Sequence, residues 1–494
     1  MSALVSPKAF LKNTGYVLIA QAIEKLRALI FLPLLTRYLG KANYGAWSQV
    51  GILTATFAPL IFLGTDAALI RYLSGENRQK QQRSFSAWCL FVFCGAGVVS
   101  FLLIVFRHSV ASLFWGESKS WHAFLPLAAA MMTANAGKNV VIRRYKLCND
   151  AKVIPIITLC QVSLNIVALS IALLRRVTLY RLVMYTVASD CAVAALGLLL
   201  ITVEFGWEKP DLSILRKLLK YGIVIVPAGY AMWGLNAMDR IFLAKFADLS
   251  QIGIYATSYS IGYLVIPFMV RPFRVMFSPA ATGYYNQGKL GALQAEFHRS
   301  AGIAFTLAIP ASAGLYLLGD RILTLVAGPE FVAGSHLLPL ISGAYIFSVF
   351  HSYFVVSLTL VHKHIFSTLS AIIACGTNFV LNWVLIPRYS IAGAAAATVL
   401  SFAIEFLFVF AAERKYAKIL QVSFRFVLKV MLCTAVMIAV VVLGKSMLFR
   451  SLEGDIVYIA VLSGLGGVCY AGALFATGLL TREKVAAVLC GAKK

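Results

Sequence analysis

Apolar residues in this sequence are gathered into a series of long, nearly uninterrupted runs. A helix that crosses a bilayer needs about 20 consecutive, mostly apolar residues. Each run reaches that length, and the segments between them are too short to fold as soluble domains of ordinary size. The sequence therefore predicts an all-α polytopic membrane protein with about 14 transmembrane helices. Their approximate limits are 14–36, 45–68, 85–106, 122–142, 153–174, 182–203, 221–244, 252–272, 300–319, 335–360, 365–386, 391–412, 426–444 and 456–479.

The composition and the distribution of charge exclude a soluble protein. Hydrophobic residues make up 60% of the 494 residues and charged residues only 13%, whereas soluble domains have about 25% charged residues. The net charge of +25 would suggest a nucleic-acid partner in a soluble chain. Here 27 of the 44 Lys and Arg residues fall on the side of the two termini, 12 on the opposite side and five within the runs. Because basic residues favour the cytoplasmic side, we expect both termini in the cytoplasm and no nucleic-acid partner.

The sequence contains an internal repeat. An offset of 208 residues pairs Gly45 with Gly253, Trp47 with Tyr255, and Pro59 with Pro267. Transporters often contain such duplications, and since the first and seventh runs enter the membrane from the same side, the halves are expected to be parallel repeats. We expect a six-helix bundle at 1–204, a cytoplasmic linker at 205–220, a second six-helix bundle at 221–412, and helices 13 and 14 with a cytoplasmic tail at 413–494.

Ionisable residues inside the predicted spans mark candidate sites, because each costs about 2.5–3.5 kcal/mol to insert. They are Glu24, Lys25, Arg27, Asp66, Lys138, Asp190, Asp239, Arg240, Glu405 and Lys429. Gln21, Glu24, Lys25 and Arg27 occupy one sector of the first helix, which predicts that this face lines water or the protein interior. A Glu24–Arg27 pair at i,i+3 that neutralises itself is the structural alternative.

Two other spans carry polar side chains at helical spacing. The seventh span has an aromatic and polar face made of Tyr230, Trp233, Asn236, Asp239 and Arg240. Aromatic rings stack on sugar or isoprenoid surfaces, while Asn and Arg bind hydroxyl and phosphate groups, although a packed helix interface gives the same pattern. The fourth span carries Lys138 three residues after Asn135, where the ammonium either faces the interior or snorkels to the cytoplasmic end.

No pattern typical of catalysis is present. The sequence has no P-loop, no nucleophile elbow and no H-E-x-x-H pattern, and no loop is long enough to hold a catalytic domain. His351, His362 and His364 lack a third ligand at metal-binding spacing. We therefore expect neither enzyme activity nor a cofactor or metal. An integral-membrane polysaccharide polymerase or ligase is the alternative of a different class, and it would need a large external loop.

Four blocks of this sequence resemble the bacterial polysaccharide (O-antigen type) flippases. Residues 39–45 are similar to the LG-x-x-x-YG signature after the first helix, and residues 64–72, GTDAALIRY, are similar to the next block. Asp239-Arg240-Ile241 followed by Gly253-Ile254-Tyr255 resembles the block of the seventh helix. Residues 378–398 resemble the block around helices 11 and 12. The blocks are spread over residues 1–412.

The resemblance implies membership of the multidrug/oligosaccharidyl-lipid/polysaccharide exporter superfamily. The implied fold has two six-helix bundles that face each other across a central cavity, with two extra helices. The implied activity is transfer of an undecaprenyl-pyrophosphate-linked oligosaccharide between the leaflets of the bacterial inner membrane by alternating access, coupled to a proton or a sodium ion. Polysaccharide polymerase and chain-length proteins would be partners in surface polysaccharide biosynthesis. A lipid II flippase and a multidrug antiporter are the alternatives within the superfamily.

Under this hypothesis the polar residues of the spans divide into three groups. The expected partners of the substrate phosphates are Arg27, Lys25, Arg240 and Lys138, with Tyr230, Trp233 and Asn236 beside them for the sugar and the lipid. Arg71 and Arg271, at the cytoplasmic ends of the second and eighth spans, are expected to make the first contact. The expected ion-coupling carboxylates are Glu24, Asp239, Asp66 and Glu405.

Overall fold

The computed structural model describes residues 7–116, 119–447 and 454–480. This part of the chain is built from helices, and the prediction of an all-α membrane protein is confirmed. The helices are α1 (Pro7–Phe62), α2 (Thr65–Leu73), α3 (Arg78–Val105), α4 (Arg107–Trp115), α5 (Phe124–Leu147), α6 (Val153–Leu174), α7 (Leu179–Phe205), α8 (Ser213–Phe246), α9 (Leu249–Asn286), α10 (Leu290–Val326), α11 (Leu337–Leu360), α12 (Ile365–Ala412), α13 (Phe424–Met447) and α14 (Asp455–Ala476). Two 3₁₀ turns (Lys119–Ala123 and Pro329–Gly334) and a π turn (Glu413–Ala417) connect them. The predicted tail beyond residue 480 lies outside the described residues.

The helices correspond to the predicted spans. Ten are long and apolar enough to cross a membrane, and the bent pair of α1 and α2 adds an eleventh. The 24 residues of α5 also reach the length of a span, but this helix carries the cations Lys138, Arg143, Arg144 and Lys146. The 56 residues of α1 and the 48 residues of α12 each accommodate two of the predicted spans. The hydrophobic pattern therefore located the helices to which the predicted spans correspond.

The segments 37–44 and 387–390, which lie between predicted spans, are helical rather than loops. Gly40 (φ 69°, ψ 172°) and Ser390 (φ 49°, ψ −128°) each interrupt a helix that continues directly on both sides. A single residue with positive φ is enough to redirect a helix, and glycine adopts it without a steric penalty. A second bend, of 45°, separates α1 from α2 at Leu63 and Gly64, whose φ angles are also positive.

The chain divides into two compact units, which we call unit 1 (up to Gly253) and unit 2 (from Ile254). In unit 1, α5 packs on α3 and α7, α6 packs on α1 and α7, and α8 packs on α1, α2 and α4. The expected bundle boundaries at 204, 221 and 412 rest on the internal repeat and stay a prediction. The observed division falls later, inside α9, because α8 is attached to α1 and α2.

The attachment of α8 depends on contact between two backbones. A Cβ atom added to Gly222 of α8 would lie 2.2 Å from the carbonyl oxygen of Leu63, and one added to Gly64 would lie 2.6 Å from the carbonyl oxygen of Gly222. Only glycine permits this approach, since any side chain would overlap the opposite backbone. The helix α8 is thereby held against the bend between α1 and α2.

The linker before α8 is shorter than expected. Irregular backbone extends only over 206–212, and α8 begins at Ser213, inside the segment predicted as linker. The Asp211 carboxylate accepts hydrogen bonds from the hydroxyl (2.6 Å) and the backbone N–H (3.1 Å) of Ser213. These two bonds to the charged form lower the pKa of Asp211.

In unit 2, the helices α13 and α14 pack on α10. Their shared apolar cluster contains Leu317, Leu318, Cys433, Met437, Val441, Leu462, Tyr470 and Leu474. The Tyr470 hydroxyl donates to the carbonyl of Thr306 at 2.9 Å, so the phenol is both packed and hydrogen-bonded. Unit 2 is completed by the pairs α10–α11 and α11–α12.

Candidate functional site

A chain of buried polar side chains links α5, α6 and α7 inside unit 1. The Lys138 ammonium donates to Gln161 Oε1 at 2.7 Å, and Gln161 Nε2 donates to Asp190 Oδ1 at 2.9 Å. Asn165 Nδ2 lies 3.4 Å from the same Asp190 oxygen. Gln161, Asn165 and Asp190 are at most 5% exposed. Since buried polar groups need partners, these bonds fix the register of the three helices and position the partly exposed Lys138.

The polar face of α1 belongs with this chain of residues. Glu24 Oε2 and Arg27 Nη2 are 3.1 Å apart, and 39% and 35% of their side chains are exposed. The i,i+3 ion pair offered as the structural alternative is therefore present, and Lys25 beside it is partly buried. Lys138 interacts electrostatically with Glu24, Arg27 and Asp190.

Six residues from four helices thus form what we call the unit 1 polar cluster. Its members are Glu24, Arg27, Lys138, Gln161, Asn165 and Asp190. The cluster contains two cations and two carboxylates inside predicted spans. Its inner part is hydrogen-bonded and buried, whereas the Glu24–Arg27 pair is exposed by more than a third of each side chain.

On α8, the aromatic part of the predicted face attaches the helix to α1. The Tyr230 hydroxyl donates to the carbonyl of Thr56 at 3.1 Å, and the Tyr230 and Trp233 rings meet edge to face with centroids 6.1 Å apart. The Trp233 indole N–H is buried and has no hydrogen-bond partner among the described residues. The hydrogen bond of Tyr230 and the edge-to-face contact of the two rings are typical of a packed helix interface. Substrate binding by these rings stays a prediction.

The polar part of the same face is held mainly by backbone bonds. Asn236 Nδ2 donates to the carbonyl of Met232 at 2.7 Å, within the helix. Asp239 is 1% exposed, and its Oδ1 accepts the backbone N–H of Arg240 at 2.8 Å. The carbonyl of Arg240 accepts from Gln49 Nε2 at 2.9 Å. Asp239 therefore lies in the packed interior, and Arg240 is partly buried beside it.

The block at residues 64–72 attaches α2 to three other helices. Trp88 Nε1 donates to the Thr65 hydroxyl at 2.9 Å, and Asp66 forms an ion pair with Arg143 of α5. Arg71 Nη1 donates to the Tyr221 hydroxyl at 3.1 Å, and its guanidinium lies 4.8 Å from the centre of that ring. Arg71 remains exposed, so it is both oriented by Tyr221 and accessible.

Two of the predicted site residues belong to unit 2. Arg271 lies on α9 and is exposed. Glu405 on α12 is buried, at 2% exposure, and its Oε1 is 3.6 Å from Nε2 of His351 on α11. His351 had been considered only as a metal ligand, and a contact with Glu405 across 54 residues of sequence gave no local signal.

The structure brings together Glu24, Arg27 and Lys138, and separately Tyr230 and Trp233.

Sequence reasoning gave no role to Gln161 and Arg143. Asp190 was recognised only as an ionisable residue within a span. The i,i+4 spacing of Gln161 and Asn165 in the fifth span was a usable signal, since both amides lie on one helical face. Arg143 was missed because it falls at the end of a span, where a basic residue is expected in any case.

The arrangement of helices defines the class of protein. Over 94% of this chain and 99% of the other, the fold is similar to the structure of the lipid II flippase MurJ in an inward closed conformation, with a TM-score of 0.79 at 12% identity. An inward-facing multidrug resistance MATE family transporter of the MOP superfamily is similar over 81% of this chain and 94% of its own, with a TM-score of 0.62 at 14% identity. The chain therefore has the fold of these two transporters.

The sequence gives the family within that class. Residues 10–277, more than half of the chain, match the family described as "Polysaccharide biosynthesis protein", and the chain belongs to this family. The family resemblance is thereby confirmed, and the first three of the four sequence blocks lie within the matched residues.

Two curated relatives come from Haloferax volcanii. A probable low-salt glycan biosynthesis flippase is 25% identical over 202 residues, which is 41% of this chain and 43% of that protein. The probable flippase AglR is 31% identical over 170 residues, which is 33% of this chain and 35% of that protein. The matched region thus spans less than half of each relative.

Proposed function

We propose that this protein is a flippase that carries a polyprenyl-pyrophosphate-linked oligosaccharide across the bilayer for surface polysaccharide biosynthesis. Membership of the polysaccharide biosynthesis family and the names of the two relatives support this proposal. The observation that carries it is the Glu24–Arg27 pair, more than one third exposed within a predicted span and in electrostatic contact with Lys138.

The chemistry of the substrate explains why such a cluster is needed. A pyrophosphate-linked sugar carries charge and many hydroxyl groups, which hydrocarbon cannot solvate. A guanidinium presents two parallel N–H donors that match a phosphate, and an ammonium adds a point charge. Arg27 and Lys138 supply one of each. Lys25 and Arg240 are the further phosphate partners in this proposal, and Tyr230, Trp233 and Asn236 are the partners for the sugar and the lipid.

The exposed ion pair also suggests how binding and ion movement are connected. Arg27 can hold either the Glu24 carboxylate or a substrate phosphate, because both use the same N–H donors. When the phosphate displaces Glu24, the released carboxylate becomes able to bind a proton or a sodium ion. Glu24 is the first coupling carboxylate in this proposal, with Asp239, Asp66 and Glu405 as the others. Arg71 and Arg271 make the first contact with the headgroup.

The charge distribution and the family support the setting that we propose for this activity. We place the protein in the bacterial cytoplasmic membrane with both termini in the cytoplasm, where it acts by alternating access on an undecaprenyl carrier. The reaction needs no cofactor and makes or breaks no covalent bond. Polysaccharide polymerase and chain-length proteins are the partners that would use its product.

The test is substitution of Arg27, the cation of the exposed pair, and of Lys138, which interacts with it. Arg27→Gln and Lys138→Gln are expressed in cells whose surface polysaccharide depends on this gene. Loss of a charge-assisted hydrogen bond costs about 1.5–3 kcal/mol, so flipping should fall about 10- to 100-fold. Arg299→Gln is the matched control, because the exposed Arg299 forms the same i,i+3 pair, with Glu296, on α10. Normal polysaccharide from both variants at equal expression would contradict the assignment.

A second assay separates the alternatives by substrate. Purified protein in liposomes is supplied with a fluorescent lipid-linked oligosaccharide, with lipid II, or with a cationic drug. The proposal predicts transfer of the first. Transfer of lipid II alone would identify a lipid II flippase, and uptake of the drug alone would identify a multidrug antiporter.

A further inference from the structure

Unit 2 contains a buried ionisable pair of its own on α11 and α12. His351 Nε2 lies 3.6 Å from Glu405 Oε1 and 3.0 Å from the Ser370 hydroxyl oxygen. The side chains of His351 and Glu405 are 13% and 2% exposed. Glu405 Oε1 is buried and has no hydrogen-bond partner among the described residues. A carboxylate in such a place is costly unless it is neutralised.

The hydrogen bonds of Ser370 define which histidine nitrogen carries hydrogen. The Ser370 hydroxyl donates its own proton to the carbonyl of Ser367 at 2.9 Å. With its own proton on that carbonyl, the Ser370 oxygen accepts from His351, and His351 then carries a hydrogen on Nε2. A further proton has two possible places, His351 Nδ1 and the Glu405 carboxylate.

The charged groups of the surrounding helices do not contact this pair. Between Arg299 and Asp320, α10 carries no charged residue; on α12 only Arg388, which is exposed, accompanies Glu405. The basic groups of the other unit 2 helices are Arg271 and Arg274 on α9, and Arg425, Lys429 and Lys445 on α13. Lys429 donates to the carbonyl of Thr477.

The other titratable groups nearby have partners of their own. Tyr345 bonds to Tyr259 at 2.6 Å, and Tyr353 bonds to Ser300 at 2.9 Å. Glu413, at the end of α12, accepts three hydrogen bonds, from Ser357, Ile419 and Leu420. The charge of Glu405 is thus balanced within the described residues only by His351 or by a proton.

We infer that His351 and Glu405 together bind one proton and are the place where the coupling ion is carried in unit 2. With one proton the pair has no net charge, either as imidazolium beside carboxylate or as imidazole beside carboxylic acid. Without it, a buried negative charge remains, which only water can stabilise. The proton therefore stays bound while the site is dry and passes to water when the site is wetted. This inference rests on the ion-coupled part of the proposed function.

The depth of the pair is suitable for such exchange. Ser370 is five residues from the start of α12, Glu405 is seven from its end, and His351 is nine from the end of α11. At 1.5 Å per residue these positions lie about 8–14 Å from the helix ends. The start of α12, the end of α12 and the end of α11 all lie on the same side of unit 2. A small separation of α11 from α12 would therefore admit water to the pair.

The experiment measures proton binding and flipping separately. Infrared difference spectra between low and high pH are recorded for the full-length protein in liposomes, for wild type, Glu405→Gln and His351→Gln. Wild type should show a pH-dependent signal of a protonated carboxyl or an imidazolium, and both variants should lose it. Glu296→Gln, which neutralises another carboxylate of unit 2 that is paired with Arg299 and partly buried, should retain it. A wild-type titration signal unchanged in both variants would overturn the inference.

Flipping of the lipid-linked oligosaccharide is measured in the same liposomes with and without a pH gradient. Glu405→Gln should keep flipping down a substrate gradient and lose the acceleration by the pH gradient, while Glu405→Asp, which retains a titratable group, should keep part of it. Acceleration by a sodium gradient alone would overturn the inference but leave the flippase proposal intact. Failure of wild type to flip the lipid would defeat the flippase proposal, and the infrared titration would still decide the proton site.

Discussion

Gly45 and Gly253, which the 208-residue offset pairs, lie directly against each other in unit 1. A Cβ atom on Gly45 would come within 2.9 Å of the Gly253 nitrogen and 2.0 Å of the Leu249 carbonyl oxygen. A Cβ atom on Gly253 would come within 3.0 Å of the Gly45 nitrogen and 1.9 Å of the Lys41 carbonyl oxygen. Both residues are helical, so neither glycine is needed for its backbone angles. They are needed because two backbones touch.

Substitution of either glycine should therefore destabilise unit 1. We expect Gly45→Ala and Gly253→Ala to cost at least about 1–3 kcal/mol, since the helices must move apart to admit the methyl group. The measurement is the Tm of the purified protein in detergent. Gly51→Ala is the matched control, because a Cβ at Gly51, on the same helix α1, meets nothing within 4 Å. It should be neutral or stabilising, and an equal loss from Gly51→Ala would contradict the contact as the cause.

Asp190 should be the central acceptor of the unit 1 polar cluster. Asp190→Ala leaves Gln161 Nε2 and Asn165 Nδ2 buried without their acceptor, at a cost of about 1–3 kcal/mol for each group. Asp190→Asn keeps one oxygen and should cost less. Thermal unfolding measures the stability, and Ser189→Ala tests for nonspecific effects of a change at this turn of α7.

The same network predicts coupling between two residues that do not bond to each other directly. Lys138 and Asp190 are joined through Gln161. In a double-mutant cycle of Lys138→Met and Asp190→Ala, we expect an interaction energy of about 0.5–3 kcal/mol. Additive effects would show that Gln161 does not transmit the interaction.

Glu413 should hold the connection between α12 and α13. Its Oε1 accepts the backbone N–H groups of Ile419 (2.9 Å) and Leu420 (2.8 Å) and the hydroxyl of Ser357 (3.2 Å), and the residue is fully buried. Glu413→Ala removes this acceptor, so the amides of Ile419 and Leu420 should exchange hydrogen faster. Glu413→Gln retains an oxygen and should protect them better. Unchanged exchange in Glu413→Ala would refute the role.

The start of α8 should depend on pH through Asp211. Because the pKa of Asp211 is lowered in the folded protein, its hydrogen bonds contribute stability above the unfolded-state pKa of about 3.9. That contribution is lost as the pH falls through the lower, folded-state pKa. Relative to the intrinsic rate at each pH, amide exchange at Ser213 should accelerate over this acidic range in wild type and be fast throughout in Asp211→Ala. A wild-type protein without that acceleration would contradict the assignment.

The polar faces were predictable in part because hydrocarbon solvates neither charges nor amides. Glu24, Lys25 and Arg27 had to share a face that avoids lipid, and the pair at i,i+3 followed from helical geometry alone. The partners of Lys138, Asp66 and Glu405 could not be predicted. They lie on other helices, and a polar residue within one helix carries no information on which neighbour packs against it.

The sequence by itself determined that the chain is a bundle of membrane-crossing helices, where most of these helices lie, and which family it belongs to. Hydrophobic length and helical periodicity suffice for this because the bilayer imposes the same requirement on every span. Only the tertiary structure decided that Gly40 and Ser390 replace whole loops and that α8 belongs to unit 1. It alone brought His351 beside Glu405. Those relationships depend on close contacts between residues distant in sequence, such as Gly64 with Gly222, which packing creates and no local pattern encodes.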